Sequence, residues 1–468
     1  MPSRIGPRMP AKSSKPGRLP LYQLLAYCSL TIPITAVGMP VTTYLPPLYA
    51  GQGGLGLATI GLIFMVARIW DVITDPIVGI LVDRYQWRHG PRKLWIAFSV
   101  PLLCVTAFFL FMPARDEPAS ALALLFQLLI LYTGWTFLQT THQAWGADLT
   151  PDYDERSKLF GYREMMSAGG TLLILSLPAL LGSWFAFDAY AEVASMGWFL
   201  ALILPLTILI AFSLVPDKAL APLPKQRPKM DLSQVLAGMK ERAIWRILAV
   251  EICVGIGVGV TASTFLFVAR GVVGLHSGAS SVLLIFFVAS IVGIPAWLWV
   301  SRRLEKHTAL QLVCVYSLAC NLVLIPMLLL GHAWLFIPMV ALLGLSFGAP
   351  QALLRSMIAD QVDREEVRSD LNKAGFYFAF MGTSYKVGQA AAIGVSFLLL
   401  ALIGFNPEVP ENPDHRIGLI LVFTLVPAII FALCILLCRN YPLTRDAHEK
   451  DRAILRARFA AKTLSQDS

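Results

Sequence analysis

The chain has 468 residues, 56% hydrophobic and only 14% charged, with a formal net charge of +9. So low a charged share, about half that of an ordinary globular domain, excludes a soluble enzyme built around a single core. The positive excess is divided among short loops with no basic-aromatic module, which argues against a nucleic-acid partner and leaves the lipid bilayer as the environment to explain.

Residues 1–20 make a basic tail with Arg4, Arg8, Lys12, Lys15 and Arg18. No apolar stretch there ends at a small-residue cleavage site, so no signal peptide is expected. Beyond it, apolar stretches of about 20 residues recur, each long enough to cross roughly 30 Å of hydrocarbon as a helix. Hydropathy and helix breakers place them near 21–48, 57–83, 94–113, 119–147, 164–186, 193–215, 244–270, 277–300, 308–330, 333–358, 374–404 and 417–438. Runs such as "LALLFQLLILY" lack the alternation of barrel strands. The expected fold is therefore an all-α polytopic membrane protein with twelve transmembrane helices.

Residues 216–243, rich in proline and lysine, read as a cytoplasmic linker. It divides an N-terminal six-helix bundle, 21–215, from a C-terminal one, 244–438, with a tail at 439–468. A weak repeat agrees: "GADLTPDYDERSKLFGYREMM" after the fourth span is similar to "IADQVDREEVRSDLNKAGFYF" after the tenth, aligning Asp148 with Asp360. Two six-helix halves around a midplane site suit a secondary transporter that works by alternating access. With both termini cytoplasmic, only Arg115, Arg270 and Arg416 among the 38 lysines and arginines fall in outside loops. The positive-inside rule then expects a multi-pass protein of the cell inner (plasma) membrane, N- and C-termini cytoplasmic. The seven cysteines sit mostly inside apolar runs and read as small buried hydrophobes.

Three basic residues, Arg68, Arg355 and Lys386, fall inside spans or at their edges. On the second span, Arg68, Asp71 and Asp75 are spaced three and then four, so they share one helix face, about 20 to 27 Å along for the two aspartates. Facing lipid, each would cost several kcal/mol, so this face lines the interior. An internal salt bridge that locks helices accounts for one carboxylate and leaves the other over. Two carboxylates four residues apart repel when both are ionised, unless a proton or metal cation joins them, which points to a coupling-ion site. Thr74 adds a hydroxyl nearby, and Thr136 on the fourth span could add another oxygen. Oxygen ligands suit Na⁺, while a carboxylate alone suffices for H⁺.

The fourth span carries "YTGWTFLQTTHQAW", too polar for a lipid face; Trp135, Gln139 and His142 could present an aromatic platform with hydrogen-bonding groups, or act as polar glue between helices. Lys386, about a dozen residues into the eleventh span, needs a carboxylate or ligand partner at that depth. Glu251 on the seventh span has three readings: snorkelling, pairing with Arg246, or function.

"ARIWDVITDP" with "GILVDRYQWRHGPRK", then "ADLTPDYDERSKLFGYR", "IADQVDREEV" and the Lys386 segment, together resemble the glycoside-pentoside-hexuronide:cation symporters, melibiose-permease-like members of the major facilitator superfamily. The resemblance implies the major facilitator fold. It implies a cation site at Asp71, Thr74, Asp75 and Thr136, with Lys386 paired to the carboxylates and Arg163 matching an arginine at the start of the fifth span. Thr35 and Gln139 stand where melibiose-type members carry sugar-binding aspartates, which puts a galactoside in doubt and leaves a sugar or another polar solute. Asp83, Arg84, Arg88 and Arg92, with Asp148 and Asp360, are expected to close a cytoplasmic gate or to mark topology.

The expected function is H⁺- or Na⁺-coupled symport of a sugar, glycoside or similar small polar solute; the alternative is an exporter or flippase of amphiphiles or lipids on the same fold. No H-E-x-x-H, Walker loop or nucleophile elbow occurs, so no enzyme is expected, and "GIGVG" at 255–259 reads as helix packing. No cofactor or metal site is expected beyond the coupling ion; the partners are the solute and the bilayer, and the working unit is a monomer.

Overall fold

The computed structural model describes residues 19–51, 55–84, 91–113, 119–149, 153–185, 188–215, 241–275, 278–330, 333–369, 374–406, 413–439 and parts of 441–457. Twelve helices among the described residues are long and apolar enough to span a membrane. They are α1 (Leu21–Ala50), α2 (Leu57–Arg84), α3 (Pro91–Phe111), α4 (Ala121–Leu149), α5 (Tyr153–Phe185) and α6 (Ala189–Leu214), then α7 (Arg242–Gly271), α8 (Ala279–Arg303), α9 (Lys306–Leu329), α10 (Phe336–Arg368), α11 (Ala374–Leu402) and α12 (Pro413–Cys438). The expected linker core, 216–240, lies outside the described residues.

Helices are the outcome because a hydrocarbon layer offers no water to unpaired backbone groups. Breaks fall where the sequence removes a donor. α1 runs as Leu21–Ser29 and Thr31–Ala36, a π-helical turn Pro40–Tyr44, and Leu45–Gly51. Pro33, Pro40, Pro46 and Pro47 each lack the N–H that a regular helix would use. α10 breaks at Gly348, just before Pro350. Two helices outrun the hydropathy reading: α5 begins at Tyr153 and α10 continues past 358. Their extra turns, "YDERSKLFGY" and "ADQVDREEVRS", are charged, but Glu, Lys and Arg are good helix formers that simply leave the apolar layer. All seven cysteines are free, and six are buried.

The start of α1 and the end of α12 share one end of the bundle with the last turns of α2 and α4 and the first turns of α3 and α5, here called the terminal end; the other is the distal end. One apolar core joins the halves distally, bringing Phe265 and Phe267 of α7, Phe336 of α10 and Phe397 of α11 together with α1 to α6. A second core, around Ile244, Leu310, Leu354 and Cys434, belongs to the terminal end of the C-terminal half alone. An ion pair also links the halves distally. Asp188 caps α6 by accepting from Ala191 N at 2.8 Å, and Glu192 in the first turn receives Arg270 Nη2 of α7 at 3.0 Å and Ser280 Oγ of α8 at 3.3 Å.

Distally, α2 and α11 also touch through glycine. A Cβ built on Gly61 would lie 2.8 Å from Cβ of Phe397, closer than real side chains come. The helices would have to part, so Gly61→Ala should destabilise by about 1–3 kcal/mol despite its better helix propensity. Gly79→Ala, with nothing within 4 Å of the new atom, should be neutral or mildly stabilising. Thermal unfolding of the two purified variants checks the contrast; equal melting temperatures would refute the close approach.

Candidate functional site

α2 positions the central charges by its period. Leu62, Val66, Ile69, Ile73 and Ile77 form an exposed apolar stripe, and Arg68, Asp71 and Asp75 lie on the opposite side among buried Phe64, Ala67 and Val78. Arg68 is 5% exposed and Asp71 1%, so these charges have left bulk water. Pro76 follows Asp75 within the helix and leaves the Val72 carbonyl without its usual donor at the same level.

Arg68 Nη1 donates to Asp71 Oδ2 at 3.1 Å. Lys386 arrives from α11, in the other half, with Nζ 3.0 Å from Asp71 Oδ2 and 2.5 Å from Asp75 Oδ2. Thr136 of α4 stands between the two remaining carboxylate oxygens, 2.9 Å from Asp71 Oδ1 and 3.1 Å from Asp75 Oδ1. Its one proton serves one of them at a time. Arg68 is further held by Gln389 of α11, whose Oε1 accepts from Nη2, and by the faces of Tyr132 and Trp135, 5.3 and 5.8 Å from its Cζ. Trp135 is itself anchored, its Nε1 donating to Ile34 O of α1 at 2.8 Å.

Two carboxylates therefore face one guanidinium and one ammonium, a balanced set, as burial at this depth requires. The cluster is not sealed: 31% of the Asp75 side chain and 18% of that of Lys386 remain accessible. Three helices, α2 and α4 from one half and α11 from the other, meet in it, so a change in one of its charges bears on the contact between the halves.

The other residues singled out from sequence fall differently. Thr74 turns its hydroxyl onto Asp71 O of its own helix at 3.1 Å, away from the carboxylates. Gln139 is half-buried with no hydrogen-bond partner among the described residues. His142 is not at the cluster. It is fully buried between α4 and α1, stacked on Tyr27 at 4.2 Å, with Nε2 3.0 Å from Tyr27 O while Tyr27 OH donates to His142 O at 2.7 Å. Arg163, on the first turns of α5, pairs with Glu164 at 3.1 Å, and its buried Nε has no hydrogen-bond partner among the described residues.

Of the expected gate residues, Arg92 donates to Val82 O of α2 at 3.3 Å and Asp360 takes Lys306 Nζ of α9 at 2.5 Å, each within its own half. The side chains of Asp83, Arg84 and Asp148, and all of Arg88, lie outside the described residues. Glu251 has Arg355 as its charged neighbour, while Arg246 reaches Arg439 O at 3.1 Å. Gln389 was not singled out from sequence; its signal was its place three residues after Lys386, on the same face of α11.

A family model described as MFS/sugar transport protein matches residues 26–445. The chain belongs to this family. Among MFS/sugar transport relatives, it is 26% identical over 406 residues to the protein of Escherichia coli K12 named as a glycoside/cation symporter, YagG, covering 85% of this chain and 86% of that one. It is 20% identical over 484 residues to the sodium-dependent lysophosphatidylcholine symporter 1 of Gallus gallus, covering 96% and 91%. In fold it is similar to the crystal structure of the nucleoside transporter NupG, with TM-score 0.66 and 13% identity over 89% of this chain and 99% of that one. The fold is that of the major facilitators, two six-helix bundles with twelve transmembrane helices.

A buried pair stripped of one partner is costly, about 3–5 kcal/mol. Arg68→Gln should therefore lower the melting temperature sharply, and adding Asp71→Asn to it should recover part of the loss. Calorimetry of the single and double variants checks this double-mutant cycle; strictly additive losses would show that the two charges are not coupled.

Proposed function

We propose that the chain is a cation-coupled symporter of a sugar, glycoside or similar small polar solute, working by alternating access in the cell inner membrane. One observation carries this reading: the balanced charge cluster in which Lys386 of one half holds both carboxylates of the other. A Na⁺ or H⁺ joining Asp71 and Asp75 adds a positive charge to a neutral, poorly hydrated set, and the low-cost response is for Lys386 to withdraw. Asp75, the more accessible carboxylate, is the point of arrival, with Asp71 and Thr136 Oγ1 completing the oxygen set. The cation and the inter-half tether are then mutually exclusive, so loading changes the contact between the halves on which rocking depends.

The surplus of lysine and arginine at the terminal end supports cytoplasmic termini. With that orientation the Glu192–Arg270 pair and the shared apolar core close the outer side, and the molecule stands inward-facing. The comparison with a glycoside/cation symporter supports the substrate class. A second reading, transport of an amphiphile, rests on a narrow apolar hollow lined by Phe265, Phe286, Phe287, Phe347 and Phe423, where an alkyl chain would be at home. Uptake into proteoliposomes of labelled glycosides against labelled lysolipids separates the two.

In the same vesicles, Asp71→Asn and Asp75→Asn should each abolish accumulation driven by an imposed Na⁺ or H⁺ gradient; wild-type accumulation in both would reject the cation site. Glu192→Gln should loosen the outer closure, raising the labelling by an impermeant thiol reagent applied outside of Thr261→Cys, a position of α7 that lines the apolar hollow. Unchanged labelling would reject the orientation or the gate.

A further inference from the structure

Two further charges, Glu251 and Arg355, interact within the C-terminal half. Glu251 of α7 is 3% exposed, and its Oε2 has no hydrogen-bond partner among the described residues. Arg355 of α10 is exposed and interacts electrostatically with Glu251 and with Tyr385 of α11, while forming no direct ion pair among the described residues. Tyr385 lies beside Gln351 of α10 and also feels Arg68, so it joins this pair to the first cluster. Glycines set the spacing: a Cβ on Gly255, one turn after Glu251, would lie 3.1 Å from Cα of Gly388, so α7 and α11 run backbone to backbone here. Measured from the terminal ends at about 1.5 Å per residue, Glu251 lies about 14 Å deep and Arg355 about 20 Å, against about 14 and 20 Å for Asp75 and Asp71.

A carboxylate buried with an unused oxygen, near a guanidinium whose donors are not spent on it, costs stability unless a ligand completes the set. The pair is neutral as a whole, so an anionic ligand would meet Glu251 with repulsion and a cationic one would meet Arg355 the same way. A neutral group that both donates and accepts suits both, and adjacent hydroxyls do this, one giving its proton to Glu251 and the next accepting from Arg355. We propose that Glu251 and Arg355 form the solute-recognition site of the C-terminal half, binding neighbouring hydroxyl groups of a neutral sugar, with Tyr385 linking that site to the cation cluster. This rests on the sugar-symport reading above and names the residues that would carry it.

The test uses the purified full chain and a panel of methyl glycosides with their mono-deoxy derivatives, with binding followed by calorimetry. For the best wild-type binder, Glu251→Gln and Arg355→Lys should each weaken binding about tenfold or more, as expected for lost hydrogen bonds to charged groups. Removing the hydroxyl that meets Glu251 should cost the wild type a similar factor and cost Glu251→Gln little more, a coupling that a merely structural role would not produce. Should Glu251→Gln not fold, Arg355→Lys, changed at an exposed position, carries the same cycle with the neighbouring hydroxyl. Wild-type affinity in both variants, or additive losses for every deoxy derivative, overturns the inference and leaves the symport reading standing. No glycoside binding by the wild type, with lysolipid binding instead, overturns the sugar reading and the inference together.

Discussion

Charge placed inside a hydrocarbon layer has to be balanced where it stands, and here the balance is struck across the boundary between two bundles. Asp71 and Asp75 come from α2, Arg68 from the same stripe, and Lys386 from α11 of the other half. Had the ammonium come from α2 or α4, the site would be a fixture of one bundle, and ion binding would have no mechanical consequence. Because it comes from the opposite half, the electrostatics of the site and the contact between the halves are one quantity.

The rest of the fold supports that arrangement. Prolines break the regular winding of α1 and remove a backbone donor from α2 beside Asp75, glycines bring α2 against α11 at the distal end, and the shared apolar core and the Glu192–Arg270 pair hold the halves there. Toward the terminal end the C-terminal half keeps its own core. At mid-depth the two halves are linked through charge, and under the proposed function a small cation would change that link. A hydrophobic contact at that place would be stronger and would have no switch.

Much of this was legible in the sequence for a simple reason: a charge in an apolar run is expensive, and what is expensive has to be solved by a partner. The stripe of Arg68, Asp71 and Asp75 and the need of Lys386 for a carboxylate follow from helical period and depth alone. What escaped was whatever depends on how helices turn toward each other. His142 shares the period of Trp135 and Gln139 on α4, yet the register of α1 against α4 puts it under Tyr27 instead of among the charges. Thr74 lies between the two aspartates in sequence, but its hydroxyl bonds back to its own helix. Gln389 and the Glu251–Arg355 pair involve residues far apart in sequence that only packing brings together. The start of α5 was missed because hydropathy sees the membrane and not the helix.

The central claim is that the ammonium of Lys386 and the coupling cation compete for the same carboxylates. The affinity of the purified protein for the cation that drives its transport, compared between wild type and Lys386→Ala, tests it most directly. Removing the resident charge should leave the site one unit more negative and tighten cation binding about tenfold or more, with gradient-driven accumulation lost. An affinity unchanged or weakened in Lys386→Ala would contradict the account.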